Sequence, residues 1–171
     1  MKLLPALLLT LTYLSASINV IDSFDATFIQ TITDEKDKVI TYKGSVLATK
    51  PQNALWSYTS PISKDVYVNQ DLVTIIEPEI EQVIKKRITS DLNLFELIKK
   101  AKKISEGLYE ASYMDKKYLI AFKDDLLESI SYKDEFDNSV KILFENQKQN
   151  KKIDPTLFTP KIPLDFDIIQ E

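Results

Sequence analysis

The chain has 171 residues, of which 44% are hydrophobic, and this is enough for one domain with a sizeable core. It carries 22 basic and 26 acidic residues, and a net charge of −4 argues against nucleic-acid binding, which needs a basic face. The sequence contains no histidine and no cysteine, which excludes His triads, His or thiolate metal sites, Cys nucleophiles and disulfides. Few common enzyme chemistries remain.

The N-terminus predicts a secretory signal peptide over residues 1–17. Met1-Lys2 supplies a positive start, Leu3 to Leu14 is almost wholly apolar, and Ser15-Ala16-Ser17 offers the small residues that a signal peptidase requires. The apolar stretch is too short to span a membrane of about 30 Å, which takes roughly 20 residues; a buried N-terminal helix is the alternative. We therefore expect an exported protein with a single folded domain over residues 18–171.

From Phe24 onward the hydrophobic pattern has a period of two, which is typical of β-strands. Phe24, Ala26 and Phe28 alternate with polar residues, as in a strand with one buried face. Further extended segments are predicted at Val39–Ala48, Leu55–Thr59, Asp65–Asn69, Leu72–Glu77, Gln82–Ile88, Leu108–Tyr113, Lys117–Phe122, Ser129–Lys133 and Val140–Glu145. Polar turns separate them, so the sequence predicts antiparallel meanders. Pro160 and Pro163 predict an extended or loop-like C-terminal tail.

One segment has helical periodicity instead. The apolar residues after Asn93 fall at the spacing of a helix stripe: Leu94, Leu97, Ile98, Ala101 and Ile104. Asn93 and Glu96 form a capping pair at its start, and Gly107 lies just beyond its end, where a helix can stop. The sequence therefore predicts one helix inserted between two runs of strands.

The charged motifs allow two chemical interpretations, apart from being ordinary solvated surface. Glu77, Glu79 and Glu81 would project from one side of an extended chain, as in a glycosidase pair or a calcium site. Pro78 interrupts any ladder there, so we favour an exposed turn. Lys85-Lys86-Arg87 and the helix lysines could bind anionic lipid or a partner, but such runs are more often solvated.

The aromatic content is the unusual feature of the composition. Eight Phe, eight Tyr and one Trp are distributed over strands that can enclose only a limited volume. A curved sheet with one apolar face and a separate amphipathic helix could be a packed core, or it could be a cavity for an apolar ligand with the helix as its lid. Composition does not separate these two possibilities.

Four motifs follow one another along the chain. They are Phe24-x-Ala26-x-Phe28-x-Gln30; Gly44 with Lys50-Pro51 and Trp56-x-Tyr58-x-x-Pro61; Pro78-x-x-x-Gln82-Val83; and Phe158-x-Pro160-x-x-Pro163-x-Asp165-x-Asp167. In this order, behind a signal peptide, they resemble the periplasmic outer-membrane lipoprotein carrier family, known as LolA. The resemblance covers the chain from about Asp22 to Asp167.

The resemblance implies a mainly β fold: an incomplete, strongly curved antiparallel β-barrel, or half-barrel, with short helices forming a lid over an apolar cavity. Family members receive lipoproteins from an inner-membrane lipoprotein-releasing ABC transporter. They carry them across the periplasm to an outer-membrane acceptor, either a protein or the membrane itself. The resemblance therefore implies a periplasmic chaperone that binds the acyl chains of lipoproteins as a monomer. No catalysis, no cofactor, no metal and no nucleic acid are expected.

The apolar stripes and the family pattern together predict the site. The expected lining of the lipid-binding cavity is Phe24, Phe28, Trp56, Leu94, Leu97 and Ile98. Lys50 stands where the family usually has an Arg that hydrogen-bonds the lid, so its ammonium is expected to point toward the segment from Asp91 to Ile104 or the loop before it. Ala54 stands where the family favours a large apolar residue.

Three other functions compete with the carrier. A lipid-sensing or lipoprotein-sensing regulator could use the same half-barrel, although such proteins usually carry an additional domain. An outer-membrane acceptor would need an N-terminal Cys, which the sequence lacks. An exported carbohydrate-active enzyme would need two carboxylates facing a polar cleft.

Overall fold

A computed structural model describes residues 20–87 and 93–171. The predicted signal peptide, residues 1–17, lies outside the described residues, as does the segment 88–92. The strands are β1 (Ser23–Thr33), β2 (Val39–Thr49), β3 (Asn53–Ser60), β4 (Lys64–Asn69), β5 (Leu72–Glu77), β6 (Gln82–Arg87), β7 (Lys102–Ser105), β8 (Leu108–Tyr113), β9 (Lys116–Lys123), β10 (Leu126–Lys133), β11 (Ser139–Gln149) and β12 (Asp167–Gln170). The α-helix of the described part is α1 (Leu94–Lys100), and 3₁₀ turns occur at Pro78–Ile80 and Pro155–Phe158.

All twelve strands form one open, curled sheet in the order β12-β6-β5-β4-β3-β2-β1-β11-β10-β9-β8-β7. The chain thus makes two antiparallel meanders, β1 to β6 and β7 to β11, and β1 joins them by pairing with β11. The predicted mainly β, half-barrel architecture is confirmed. No helix in the described ranges has the length and apolarity needed to cross a membrane.

Each face of the sheet has its own core, because side chains alternate along every strand. The inner face, which α1 covers, buries Phe24, Ala26 and Phe28 of β1 together with Val46 and Phe144 from the neighbouring strands. The outer face carries a second cluster on β4 to β6. It consists of Tyr67, Ile76 and Val83, covered by Leu55, Ile162 and Phe166. The C-terminal tail therefore packs on the side of the sheet opposite to α1.

The helix is shorter than its apolar stripe predicts. It ends at Lys100, and Ala101 is already extended, with φ −70° and ψ 137°. The following residues form β7, where Lys103 pairs with Tyr109 of β8 across a turn at Gly107, whose φ is +66°. A local hairpin therefore replaces the last predicted turns, and Ile104 of the expected stripe is exposed rather than buried.

The tail is loop-like around Pro160 and Pro163, as predicted, but it also contains a strand that the sequence did not predict. After the two prolines it forms β12, which pairs with β6 in parallel, Ile168 opposite Val83. The backbone N–H of Asp167 donates to the carbonyl of Glu81 at 2.9 Å, and that of Glu171 donates to the carbonyl of Lys85 at 2.9 Å. The sequence offered no signal for this strand, because its four residues are exposed and depend on the β6 edge for hydrogen bonds.

Candidate functional site

The candidate site is a cavity between α1 and the inner face of the sheet. Its volume is about 320 Å³, at the low end of the range of about 300–1,000 Å³ that is usual for small-molecule sites. Strands β2 to β4 line one side, β9 to β11 line the other, and α1 lies over both. The lining side chains include Ala54, Trp56, Leu94, Phe95, Leu97, Tyr118 and Tyr132.

Helix α1 is held over the cavity by an N-terminal cap and an apolar underside. The Asn93 side chain accepts a hydrogen bond from the backbone N–H of Glu96 at 3.0 Å, which confirms the predicted capping pair. Phe95, Leu97 and Ile98 are buried, and Leu94 packs partly buried against the same core. A helix of seven residues is marginal alone, so its position depends on this burial.

The floor of the cavity is a stack of aromatic rings. Phe28 meets Trp56 edge-on with ring centroids 5.1 Å apart, and Phe24 meets Phe144 in the same way at 5.1 Å. The ring of Trp56 also lies 6.3 Å from that of Phe144. Phe24 and Phe28 are 0% and 1% exposed and do not line the open space: Phe28 supports Trp56 directly, and Phe24 supports Phe144.

The six residues predicted for the cavity thus divide into two groups. Trp56, Leu94 and Leu97 line the cavity, whereas Phe24, Phe28 and Ile98 are buried in the core around it.

Sequence reasoning missed Phe95, Tyr118, Tyr132 and the floor residue Phe144. The spacing of Phe95 and Ile98 (i, i+3) and the alternation along β9, β10 and β11 were the signals that could have found them.

Lys50 lies at the β2–β3 turn, and its partner is not on α1. Its Nζ lies 2.6 Å from Oδ1 of Asp22, the residue just before β1, and its backbone N–H donates to the carbonyl of Asp22 at 3.0 Å. The two side chains are 43% and 67% exposed, so the ion pair is well solvated. The loop before the helix, residues 88–92, is outside the described part of the chain.

No Asp or Glu lines the cavity within the described residues. The Glu77, Glu79 and Glu81 motif is located at the β5–β6 turn, where Pro78 begins a 3₁₀ turn and Glu81 adopts φ 52°. Glu79 and Glu81 are exposed there, as expected for a surface turn. The paired carboxylates that a glycosidase needs are therefore not found at this cavity.

Known proteins identify the family. The family model described as outer membrane lipoprotein carrier protein LolA matches residues 19–110. Relatives called outer-membrane lipoprotein carrier protein include that of Campylobacter jejuni, 39% identical over 149 residues (87% of each chain), and that of Wolinella succinogenes, 31% identical over 157 residues (91% of each chain). The chain belongs to the LolA family.

Solved structures show the same fold for this LolA-family chain. An uncharacterised conserved protein from Thermus thermophilus superposes with a TM-score of 0.54 at 13% identity, covering 90% of this chain and 93% of that one. A LolA superfamily protein from Nitrosomonas europaea superposes with a TM-score of 0.52 at 10% identity, covering 84% and 94%. At such identities the likeness supports the open curled sheet and nothing finer.

Proposed function

We propose that this LolA-family chain is a periplasmic lipoprotein carrier that holds acyl chains in the cavity beneath α1. The mainly apolar cavity of about 320 Å³, lined by Trp56 and covered by the short helix α1, is the observation that carries the proposal. In the same proposal, the chain receives cargo from an inner-membrane ABC transporter and delivers it to an outer-membrane acceptor. The names of the relatives support this role.

The energetics of acyl burial explain why a lid is needed. Burial contributes about 0.8 kcal/mol per CH₂, so a chain of about fourteen CH₂ groups contributes roughly 11 kcal/mol. Three such chains would exceed the ceiling of about 20 kcal/mol for non-covalent affinity and would not be released. Leu94, Phe95 and Leu97 of α1 pack over the inner face, so in this proposal cargo displaces them, and this cost offsets part of the binding energy.

The single tryptophan provides a direct test. Trp56 is the only Trp in the chain and lines the cavity, so a lipopeptide whose acyl chains carry bromine should quench its fluorescence on contact. A charge introduced by Leu97→Glu should weaken this quenching. Ile104→Glu is the matched control, because Ile104 is 53% exposed on β7 and does not line the cavity. Binding of the lipopeptide without quenching of Trp56 would place acyl chains elsewhere and contradict the proposal.

We further propose that Lys50 acts as a lid latch through Asp22. The pair ties the segment that enters β1 to the β2–β3 turn, next to Gln52 and Asn53 at the end of the cavity where α1 begins. An exposed pair contributes at most about 1 kcal/mol, so the effect on release is limited to a few-fold. Lys50→Leu should slow the transfer of a bound lipopeptide to acceptor membranes, whereas Lys50→Arg should preserve it. Equal transfer rates for Lys50→Leu and wild type would exclude the latch and leave the carrier proposal standing.

A further inference from the structure

Four tyrosines form a connected group at one end of the inner face, and we call Tyr42, Tyr58, Tyr118 and Tyr132 the tyrosine cluster. The rings of Tyr42 and Tyr58 meet edge-on with centroids 6.0 Å apart, and those of Tyr118 and Tyr132 are 5.2 Å apart. The two pairs lie on either side of β1 and β11, on strands β2 and β3 and on strands β9 and β10. All four rings are half-buried.

The hydroxyls of this cluster differ in whether they have a hydrogen-bond acceptor on the protein. Tyr58 donates to Oε1 of Gln30 at 3.0 Å, which fixes its ring beside Phe28. Tyr118 and Tyr132 line the cavity, and within residues 20–87 and 93–171 their hydroxyls make no hydrogen bond to protein. The wall of this mainly apolar cavity, which Gln52, Asn53 and Asn93 also line, therefore carries two hydroxyl donors without a protein acceptor among the described residues.

These donors suit a ligand that is apolar along its length and has an acceptor at one end. Tyrosine is well placed at such a boundary, because its ring packs with apolar groups and its hydroxyl donates a hydrogen bond. An ester carbonyl is only an acceptor, and burying it unpaired is costly. Burial raises the pKa of Tyr132, with further increases from Tyr118 and Asp134, so the hydroxyl remains protonated and able to donate.

We propose that Tyr118 and Tyr132 donate hydrogen bonds to the ester carbonyls that join acyl chains to their glyceryl group. The cavity then distinguishes ester-linked from ether-linked chains of the same length. This inference rests on the proposed function, since it concerns the head of the same acyl ligand.

The test uses two lipopeptides that differ only at the carbonyl. Both carry the peptide Cys-Ser-Lys-Lys-Lys-Lys; one bears two palmitoyl esters on its glyceryl-cysteine, and the other bears two hexadecyl ethers. Their affinities are measured through the fluorescence of Trp56. Wild type should bind the ester probe about three- to tenfold more tightly, the size expected for one or two net hydrogen bonds.

Conservative variants test whether the tyrosine hydroxyls cause the preference for the ester probe. Tyr118→Phe and Tyr132→Phe keep the rings and should each reduce affinity for the ester probe while leaving the ether probe unchanged. Tyr67→Phe is the matched control, because Tyr67 is buried in the outer-face cluster and should alter neither probe.

The possible failures are distinguishable. Equal affinities of wild type for both probes, or Tyr→Phe variants that weaken both probes alike, would overturn the ester inference and leave the carrier function intact. Failure of wild type to bind either probe would overturn the proposed function, and the ester inference with it. The circular dichroism and thermal midpoint of each variant confirm that the comparison is between folded proteins.

Discussion

Gly44 shows how one residue governs the packing of the inner face. It is opposite Phe28 on β1 and Tyr58 on β3. A Cβ at this position would overlap the backbone carbonyl oxygen of Ser57 and would lie 2.8 Å from the Phe28 ring. The missing side chain therefore lets the Phe28 ring sit directly against β2, where it supports Trp56.

We expect Gly44→Ala to destabilise the fold by about 1–3 kcal/mol, because an added methyl group would force β3 or the Phe28 ring to move. Urea unfolding followed by circular dichroism measures the change. Ser45→Ala is the control, since Ser45 is exposed on the same strand and should change stability by less than about 0.5 kcal/mol. Equal midpoints for Gly44→Ala and wild type would show that the contact can relax without cost.

Tyr58 predicts a stability loss at high pH. Burial raises its pKa to about 12, with smaller increases from Tyr132 and Tyr42. Below about pH 10 the phenol is protonated in both the folded and the unfolded chain. As the pH rises from 10 through 12, the unfolded chain releases this proton first, so the free energy of unfolding falls. Tyr58→Phe should make this fall shallower, which urea titrations at a series of pH values would detect. Parallel stability curves for the two proteins would contradict the assignment.

At the scale of elements, most strands were predictable from the sequence. Of the two ends of α1, only the N-terminal end was predictable. The alternation of apolar residues located ten of the twelve strands or their central parts, all except β7 and β12, because one buried face imposes a period of two. Asn93 marked the start of α1 for a local reason, since the cap is made within one turn. The C-terminal end of α1 is set by the pairing of β7 with β8, and no pattern within the helix predicts that pairing.

The candidate site was less predictable than the strands. A period of two tells which residues share a face but not which of them border an empty space. The pattern therefore predicts the same role for Phe24, Phe28 and Trp56, although only Trp56 of the three borders the cavity. The family position of Lys50 predicts an acceptor on the lid, whereas its acceptor in the structure is Asp22.

The cap of α1 gives a prediction at this scale. Asn93→Ala removes the acceptor for the Glu96 N–H and should destabilise the helix by about 1 kcal/mol. Because α1 covers Trp56, a looser helix should increase collisional quenching of Trp56 by acrylamide. Asn93→Ser retains a capping oxygen and should restore the wild-type quenching constant. If acrylamide quenches Trp56 equally in Asn93→Ala and wild type, burial of Phe95, Leu97 and Ile98 alone positions the helix.

At the scale of the whole molecule, the sheet is stabilised from both sides. The inner face is covered by α1, and the outer face of β3 to β6 is covered by the C-terminal tail. Phe158 anchors the tail: it is 5% exposed, and its carbonyl accepts a hydrogen bond from Nδ2 of Asn69 at 3.0 Å. The strands that line one side of the cavity thus depend on a segment that never touches the cavity.

Phe158→Ala should therefore destabilise the protein by about 3–5 kcal/mol, the usual cost of truncating a buried Phe. Leu157→Ala is the matched control, because Leu157 is on the same 3₁₀ turn, is 48% exposed and should cost much less. Thermal unfolding of the two variants provides the comparison. Similar midpoints would mean that the tail is not part of the cooperative fold.

The pairing of β1 with β11 has a consequence for the order in which the protein folds. Partners along this seam are between 106 positions apart, for Thr33 and Ser139, and 125 positions apart, for Phe24 and Gln149. All other antiparallel pairs join strands that follow one another along the chain and can form locally. Closing so long a loop is slow, so the seam forms after the two meanders. Until β11 is available for pairing, one edge of β1 is unpaired and Phe24 and Phe28 lack the cover of Phe144, which leaves a surface prone to aggregation. A delay in forming the second meander should therefore favour aggregation of the first meander over completion of the sheet.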